Sequence, residues 1–174
     1  MKARVHVMDA STKYDALSVF CGSSIGNPSI YSALAYNLGQ YLARNKVTLV
    51  FGGSNVGLMG ILSDSVIKAG GDAVGVYPSN TFSMDVSHQG LSKLHLVDSM
   101  HERKALMYEL SDGAIALPGG FGTLEELTET LTWTQLGIHS LPTALLGPKI
   151  FWQPFINFLD VAHAQGFIKE KSRG

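Results

Sequence analysis

Short apolar runs recur along the chain, each followed by a glycine-rich or polar turn and then by a longer segment with helical spacing. Leu17 to Cys21, Val47 to Phe51, Ala73 to Tyr77, Leu94 to Asp98, Ala114 to Leu117 and Thr143 to Leu146 read as strands. A first helix is expected to open at Asn27-Pro28, because Asn is a good N-cap and Pro fits the first turn. Its apolar face is Ile30, Leu34, Leu38, Tyr41 and Leu42. Further helices are predicted from about Leu58 to Ala69, from Met100 to Leu110, from Thr123 to about Leu136 and from Phe151 to His163. Gly70-Gly71 suits a C-cap for the first of these. A polar connector runs from Ser79 to Gly90 before the fourth strand.

Apolar runs alternating with amphipathic helices imply parallel strands covered on both faces. With right-handed crossovers, the expected fold is α/β: a single-domain, Rossmann-like, doubly wound and mostly parallel sheet with helices on both faces. Residues 1–14 read as an N-terminal arm and 15–174 as the domain, with no repeat or linker in view. Ligands of such sheets sit beyond the carboxyl ends of the strands near the switch point, so the loops after the strands are where chemistry is expected.

Composition narrows the functions. The 174 residues include 19 glycines and 6 prolines, with no triplet period that would suggest a fibre. Apolar residues reach 45% and the formal net charge is -1, which argues against disorder and gives no footprint for nucleic acid or an anionic membrane. No apolar run approaches the roughly 20 residues of a membrane span. The lone Cys21 cannot form an internal disulfide, so a reducing, cytoplasmic setting is expected. The histidines show no metal-ligand spacing, and neither a metal nor a cofactor is expected.

The strongest motif is Pro118-Gly119-Gly120-Phe121-Gly122-Thr123-Leu124-Glu125-Glu126, between a strand and a helix. Glycines let the backbone approach a ligand closely, and free N–H groups at a helix start favour an anion such as phosphate. Thr123 and Glu126 also have the S/T-x-x-E spacing of a capping box, which spacing alone favours over a catalytic Glu126. Nothing local separates Glu125 from Glu126. Gly52-Gly53-Ser54-Asn55-Val56-Gly57-Leu58-Met59-Gly60 lacks the Lys of a P-loop and strict G-x-G-x-x-G spacing; it either lines the crevice or packs helix on strand. Cys21-Gly22-Ser23-Ser24-Ile25-Gly26 follows the first strand, and Cys21 reads as a buried structural thiol. His101-Glu102-Arg103-Lys104 is a solvated helical face on composition. Its place beyond a strand instead allows Arg103 to grip a phosphate or carboxylate with its planar fork.

Met100-His101-Glu102-Arg103-Lys104 followed by Pro118 to Glu126 resembles the signature pair of the Lonely guy (LOG) family, cytokinin riboside 5'-monophosphate phosphoribohydrolases with the motif P-G-G-x-G-T-x-x-E. Val19 to Gly26, Val50 to Gly60 and Thr132-Trp133 through Gly137-Ile138-His139 are similar to family segments in the same order, so the likeness spans Leu17 to Gly166. The resemblance implies hydrolysis of the N-glycosidic bond of an adenine nucleoside 5'-monophosphate, N6-prenylated in the cytokinin case. It implies Arg103 and Glu126 as the catalytic pair. It implies substrate binding by Gly119, Gly120, Phe121, Gly122 and Thr123, with Lys104, Glu125 and Thr132 nearby and Gly22, Ser23, Gly52 and Gly53 in the flanking loops. It implies a homodimer or larger homo-oligomer. Asp85 stands about where relatives carry a substrate-contacting Glu, and Ser54 where a third glycine is common. A lysine decarboxylase label attached to many relatives is rejected, because no motif for a pyridoxal phosphate lysine is apparent. Two other readings remain open: a non-catalytic nucleotide or cofactor carrier, and a general AMP nucleosidase.

Overall fold

In a computed structural model, residues 14–81 and 83–169 of the 174 are described. The expected N-terminal arm lies outside them except for Tyr14. The chain runs β1 (Ala16–Phe20), α1 (Ile30–Arg44), β2 (Thr48–Phe51), α2 (Gly57–Lys68), β3 (Ala73–Pro78), β4 (Lys93–Val97), α3 (Met100–Glu109), β5 (Gly113–Ala116), α4 (Phe121–Leu136), β6 (Thr143–Leu145) and α5 (Lys149–Ala164), with a 3-10 turn at Met84–Val86. The strand order is β4-β3-β2-β1-β5-β6 and every pair is parallel. This is the expected doubly wound α/β sheet, with its order reversing beside β1.

Strand periodicity sorts the core into two faces. Leu17, Val19, Leu49, Phe51, Ile115 and Leu117 face α1 and α2, where Leu38, Leu42, Leu58, Leu62 and Val66 meet them. The alternate positions Phe20, Val50, Val76 and Ala114 face Met107 and Tyr108 of α3. Ala116 packs with Leu127 of α4 and Trp152 of α5. Strands apolar on both sides therefore stay buried on both sides.

Two expectations for α1 are corrected. The helix begins at Ile30 with Ser29 as its N-cap, not at Asn27-Pro28. Gly26 turns the chain at φ +72 and Pro28 O accepts a turn bond from Tyr31 N at 3.2 Å, so the first helical bond reaches Ser29 O. Its buried face is Ala35, Leu38, Gly39 and Leu42, while Ile30 and Tyr41 are exposed. Packing against α2 as well as the sheet rotates the buried stripe toward the small residues. At the other end of α2, Gly70 takes a positive φ of 77 after Ala69, as the expected C-cap requires.

Candidate active site

The loops after β1, β2 and β5 converge with the start of α3 on one cleft. Its volume is about 320 Å³, within the usual range for small-molecule sites. Gly22 N donates to Pro118 O at 3.1 Å, joining the β1 and β5 loops at the switch point. Leu58 N donates to Gly22 O at 3.0 Å, bringing in the start of α2. A second hollow of about 400 Å³ lies between α1 and the β5–β6 edge, lined by Leu34, Leu38, Ile115, Leu145 and other mainly apolar residues. The convergent polar groups are in the first cleft.

Helix α4 starts at Phe121, with Gly120 as N-cap. The predicted capping box is therefore absent: Thr123 is already inside the first turn, and the Glu126 side chain turns to Arg103 instead. The first helical bond runs from Leu124 N to Gly120 O at 3.0 Å, so the N–H groups of Phe121, Gly122 and Thr123 have no intrahelical acceptor. They form the positive end of the helix at the cleft, a ready site for an anion. Gly119 must be glycine here, since a Cβ would overlap Thr123 Oγ1 and approach Gly22 N to 2.9 Å.

Arg103 Nη2 lies 3.2 Å from Glu126 Oε1, and both side chains line the cleft while being about nine-tenths buried. Gly52 lies directly against this guanidinium, where any Cβ would overlap Nη2. Arg103 Nη1 reaches Met100 Sδ at 3.7 Å, and its buried Nε has no partner among the described residues. Burial pushes the Glu126 carboxyl up to about 7, against the opposing pull of Arg103 and with a further push from Glu125. Thr130 Oγ1 donates to Glu126 O at 2.7 Å and lies within hydrogen-bond distance of Tyr108 Oη, at 3.1 Å, tying this turn of α4 to α3. Burial raises the Cys21 thiol well above its ordinary value, so it stays a neutral wall of the cleft.

Of the residues singled out in the sequence, the structure brings Gly22, Ser23, Gly52, Arg103, Gly120, Phe121, Gly122, Thr123 and Glu126 to the cleft walls. Lys104, Glu125, Thr132, Asp85, Gly53 and Gly119 are not among its lining residues. Lys104 is 2% exposed and ion-paired with both Glu125 and Glu129, fastening α3 to α4. Burial works against its charge, but those two carboxylates outweigh burial and raise its pKa. Thr132 bonds back to Thr128 O at 2.7 Å on an exposed face, and Asp85 is held at the surface by Ser83 Oγ. Gly53, at φ +75, supplies the carbonyl that accepts from His88 N at 2.8 Å. Gly119 carries the turn into α4.

Sequence reasoning missed Tyr77 and Val86 as cleft walls, and within the segments it singled out it did not distinguish Ser54, Val56, Met59 and Met100, which also line the cleft. Most of these are apolar, and apolar side chains signal a core until the chain is folded. Among the described residues no lysine lines the cleft, so they offer no amine there for a Schiff base. Among the described residues no cluster of His, Cys, Asp and Glu could hold a metal ion, and no helix is long and apolar enough to cross a membrane.

A family model described as possible lysine decarboxylase matches residues 59–174. The cytokinin riboside 5'-monophosphate phosphoribohydrolase of Rhodococcoides fascians is 45% identical over 159 residues, covering 91% of this chain and 80% of that protein. The enzyme of the same description, LOG, from Oryza sativa subsp. japonica is 42% identical over 162 residues, covering 93% and 67%. Among solved structures, the molybdenum cofactor binding protein of Rippkaea orientalis superposes with a TM-score of 0.68 at 26% identity, covering 86% of this chain and 87% of that one. The molybdenum cofactor carrier protein of Chlamydomonas reinhardtii gives 0.65 at 21% identity over 84% and 85%, a likeness of fold alone. Sequence identity above 40% over nine-tenths of the chain places it, together with the family-model match, in the LOG family of cytokinin riboside 5'-monophosphate phosphoribohydrolases.

Proposed function

We propose that this protein hydrolyses the N-glycosidic bond of an N6-prenylated adenosine 5'-monophosphate, releasing the free base and ribose 5-phosphate. The observation that carries the site assignment is the buried Arg103–Glu126 pair, 3.2 Å apart, beside the open N-terminus of α4. The 5'-phosphate rests on the N–H groups of Phe121, Gly122 and Thr123, with Gly120, Gly22 and Ser23 allowing close approach. That anchor sets the ribose against Glu126. As the bond from C1' to the base nitrogen breaks, its electron pair leaves with the base and the sugar gains oxocarbenium character, which the Glu126 carboxylate stabilises. Water adds to C1', and its proton balances the charge left on the base. Arg103 holds the carboxylate in position and shares the field of the phosphate. Lys104 acts from behind, through Glu125 and Glu129, to fix the α3–α4 angle.

The protein is a homo-oligomer in this reading, since Phe121 stands 95% exposed at the cleft mouth with Leu136 and Ile138 also exposed on α4 and just beyond it. A carrier reading has support in the fold shared with a molybdenum cofactor binding protein. It needs only the anion loop, and leaves a buried carboxyl with a pKa near 7 without a task.

The test is base release from isopentenyladenosine monophosphate and from AMP, followed by chromatography. We expect release by the wild type and a loss of several orders of magnitude in Arg103→Ala and Glu126→Ala, both remaining folded. Near-normal turnover in either variant overturns the site assignment. Release from neither substrate favours the carrier, and equal release from both favours a general AMP nucleosidase.

A further inference from the structure

The cleft is chemically two-ended. Its α4 end is backbone N–H and hydroxyl, and the Arg103–Glu126 pair stands between the ends. The far end, toward β3 and β4, is walled by Val56, Met59, Tyr77, Val86 and Met100. Val86 reaches that wall from the connector between β3 and β4, which belongs to neither flanking element.

Four hydrogen bonds hold the connector there. Tyr77 Oη donates to Ser83 O at 2.5 Å, and His88 N donates to Gly53 O at 2.8 Å. Between these two points, Val86 O accepts twice: from Asn55 N at 2.9 Å and from Ser54 Oγ at 3.0 Å. Two donors on one carbonyl fix the plane of its peptide, and so the direction of the side chain beside it. Asp85, one residue earlier, is turned away by its neighbour: Ser83 Oγ donates to its carboxylate at 3.0 Å and accepts from its N–H at 3.3 Å. Ser54 is 7% exposed, so water does not readily replace its hydroxyl.

We propose that Ser54 is a positioning residue for substrate selection: its hydroxyl holds the connector so that Val86, and not Asp85, faces the far end of the cleft, favouring an adenine nucleotide with a hydrocarbon substituent on its exocyclic amine. The proposal rests on the phosphoribohydrolase reading and deepens it. With the phosphate at α4 and C1' at Glu126, the base and its substituent extend toward Val86. Each methylene buried there is worth roughly fourfold in binding. A free amine gains nothing from an apolar wall, and a carboxylate in its place would have favoured the amine.

The experiment compares wild type, Ser54→Ala and Val86→Asn on isopentenyladenosine 5'-monophosphate and AMP, with deuterium uptake of residues 83–88 measured in parallel. For Ser54→Ala we expect KM for the isopentenyl nucleotide to rise about three- to tenfold, the worth of one hydrogen bond. Its kcat should change by less than that factor, and KM for AMP should rise less than KM for the isopentenyl nucleotide. Deuterium uptake of the connector should quicken. Val86→Asn, at a half-exposed position that tolerates change, should shift the same ratio with the connector still protected, and decides the matter if Ser54→Ala does not fold. An equal change on both substrates, a change confined to kcat, or an unchanged ratio overturns the proposal while leaving the phosphoribohydrolase reading intact, and a wild type that prefers AMP overturns the proposal and favours the AMP nucleosidase. A wild type that releases base from neither substrate overturns both.

Discussion

Glu126 combines a stability cost with the chemical use proposed for it. Its carboxyl ionises at about 7 in the folded chain against an ordinary 4.5, because burial outweighs the attraction of Arg103. Below 4.5 the group is protonated whether folded or unfolded and costs nothing. Between 4.5 and about 7 the unfolded chain ionises first, so stability falls as pH rises; above that the loss is constant, on the order of 3 kcal/mol. Glu126→Gln keeps the shape and removes the charge. Thermal melts should therefore show the Gln variant more stable than wild type at pH 8, with the gap closing toward pH 4.5, while its turnover collapses. A Gln variant less stable at pH 8 would mean that pairing with Arg103 dominates. If the ionised carboxylate stabilises the sugar cation, kcat/KM should rise with pH toward a plateau above about 7.

At the scale of elements, Gly39 shows packing overruling local preference. Within an isolated helix, Gly to Ala is worth about 1 kcal/mol of stabilisation. In α1, however, a Cβ at Gly39 would meet Leu62 O and Ser65 Cβ of α2, each at 2.7 Å. Ser65 Oγ also donates to Tyr36 O at 2.6 Å, so the two helices are held at that distance. Gly39→Ala should lower stability by about 1–3 kcal/mol, read from the midpoint of urea unfolding. A raised midpoint would show that the helices can separate at no cost. The same competition explains why α1 buries Ala35 and Gly39 beside Leu38 and Leu42, and leaves Ile30 and Tyr41 of the periodic stripe exposed.

Across the whole molecule, apolar surface remains uncovered in several places. Phe121, Leu136 and Ile138 are exposed, and the extended face of α5 adds Ile150, Phe158 and Val161. With a net charge of only -1, little long-range repulsion opposes association of copies. Light scattering coupled to size exclusion should give at least twice the 18.7 kDa chain mass. A mass equal to one chain at micromolar concentration would remove the homo-oligomer from the proposed function.

The strands, the helices and the loops that could gather a ligand were legible along the chain because period two, period 3.6 and glycine-rich turns are local signals. The P-G-G-x-G-T-x-x-E run marked its own importance, as any backbone that must approach an anion closely requires glycine. What Glu126 does was not local: its spacing from Thr123 reads as a cap, and only the position of Arg103, carried there by a different helix after a different strand, turns it into a buried ion pair. Lys104, adjacent to Arg103 in sequence, points instead to Glu125 and Glu129, a division that a helix's rotation sets and neighbouring residues do not record. Asp85 and Val86 are separated in the same way, by hydrogen bonds from a loop some thirty residues earlier. Periodicity reveals which residues can be buried; which polar groups meet in the cleft depends on how separate helices and loops pack around the switch in strand order.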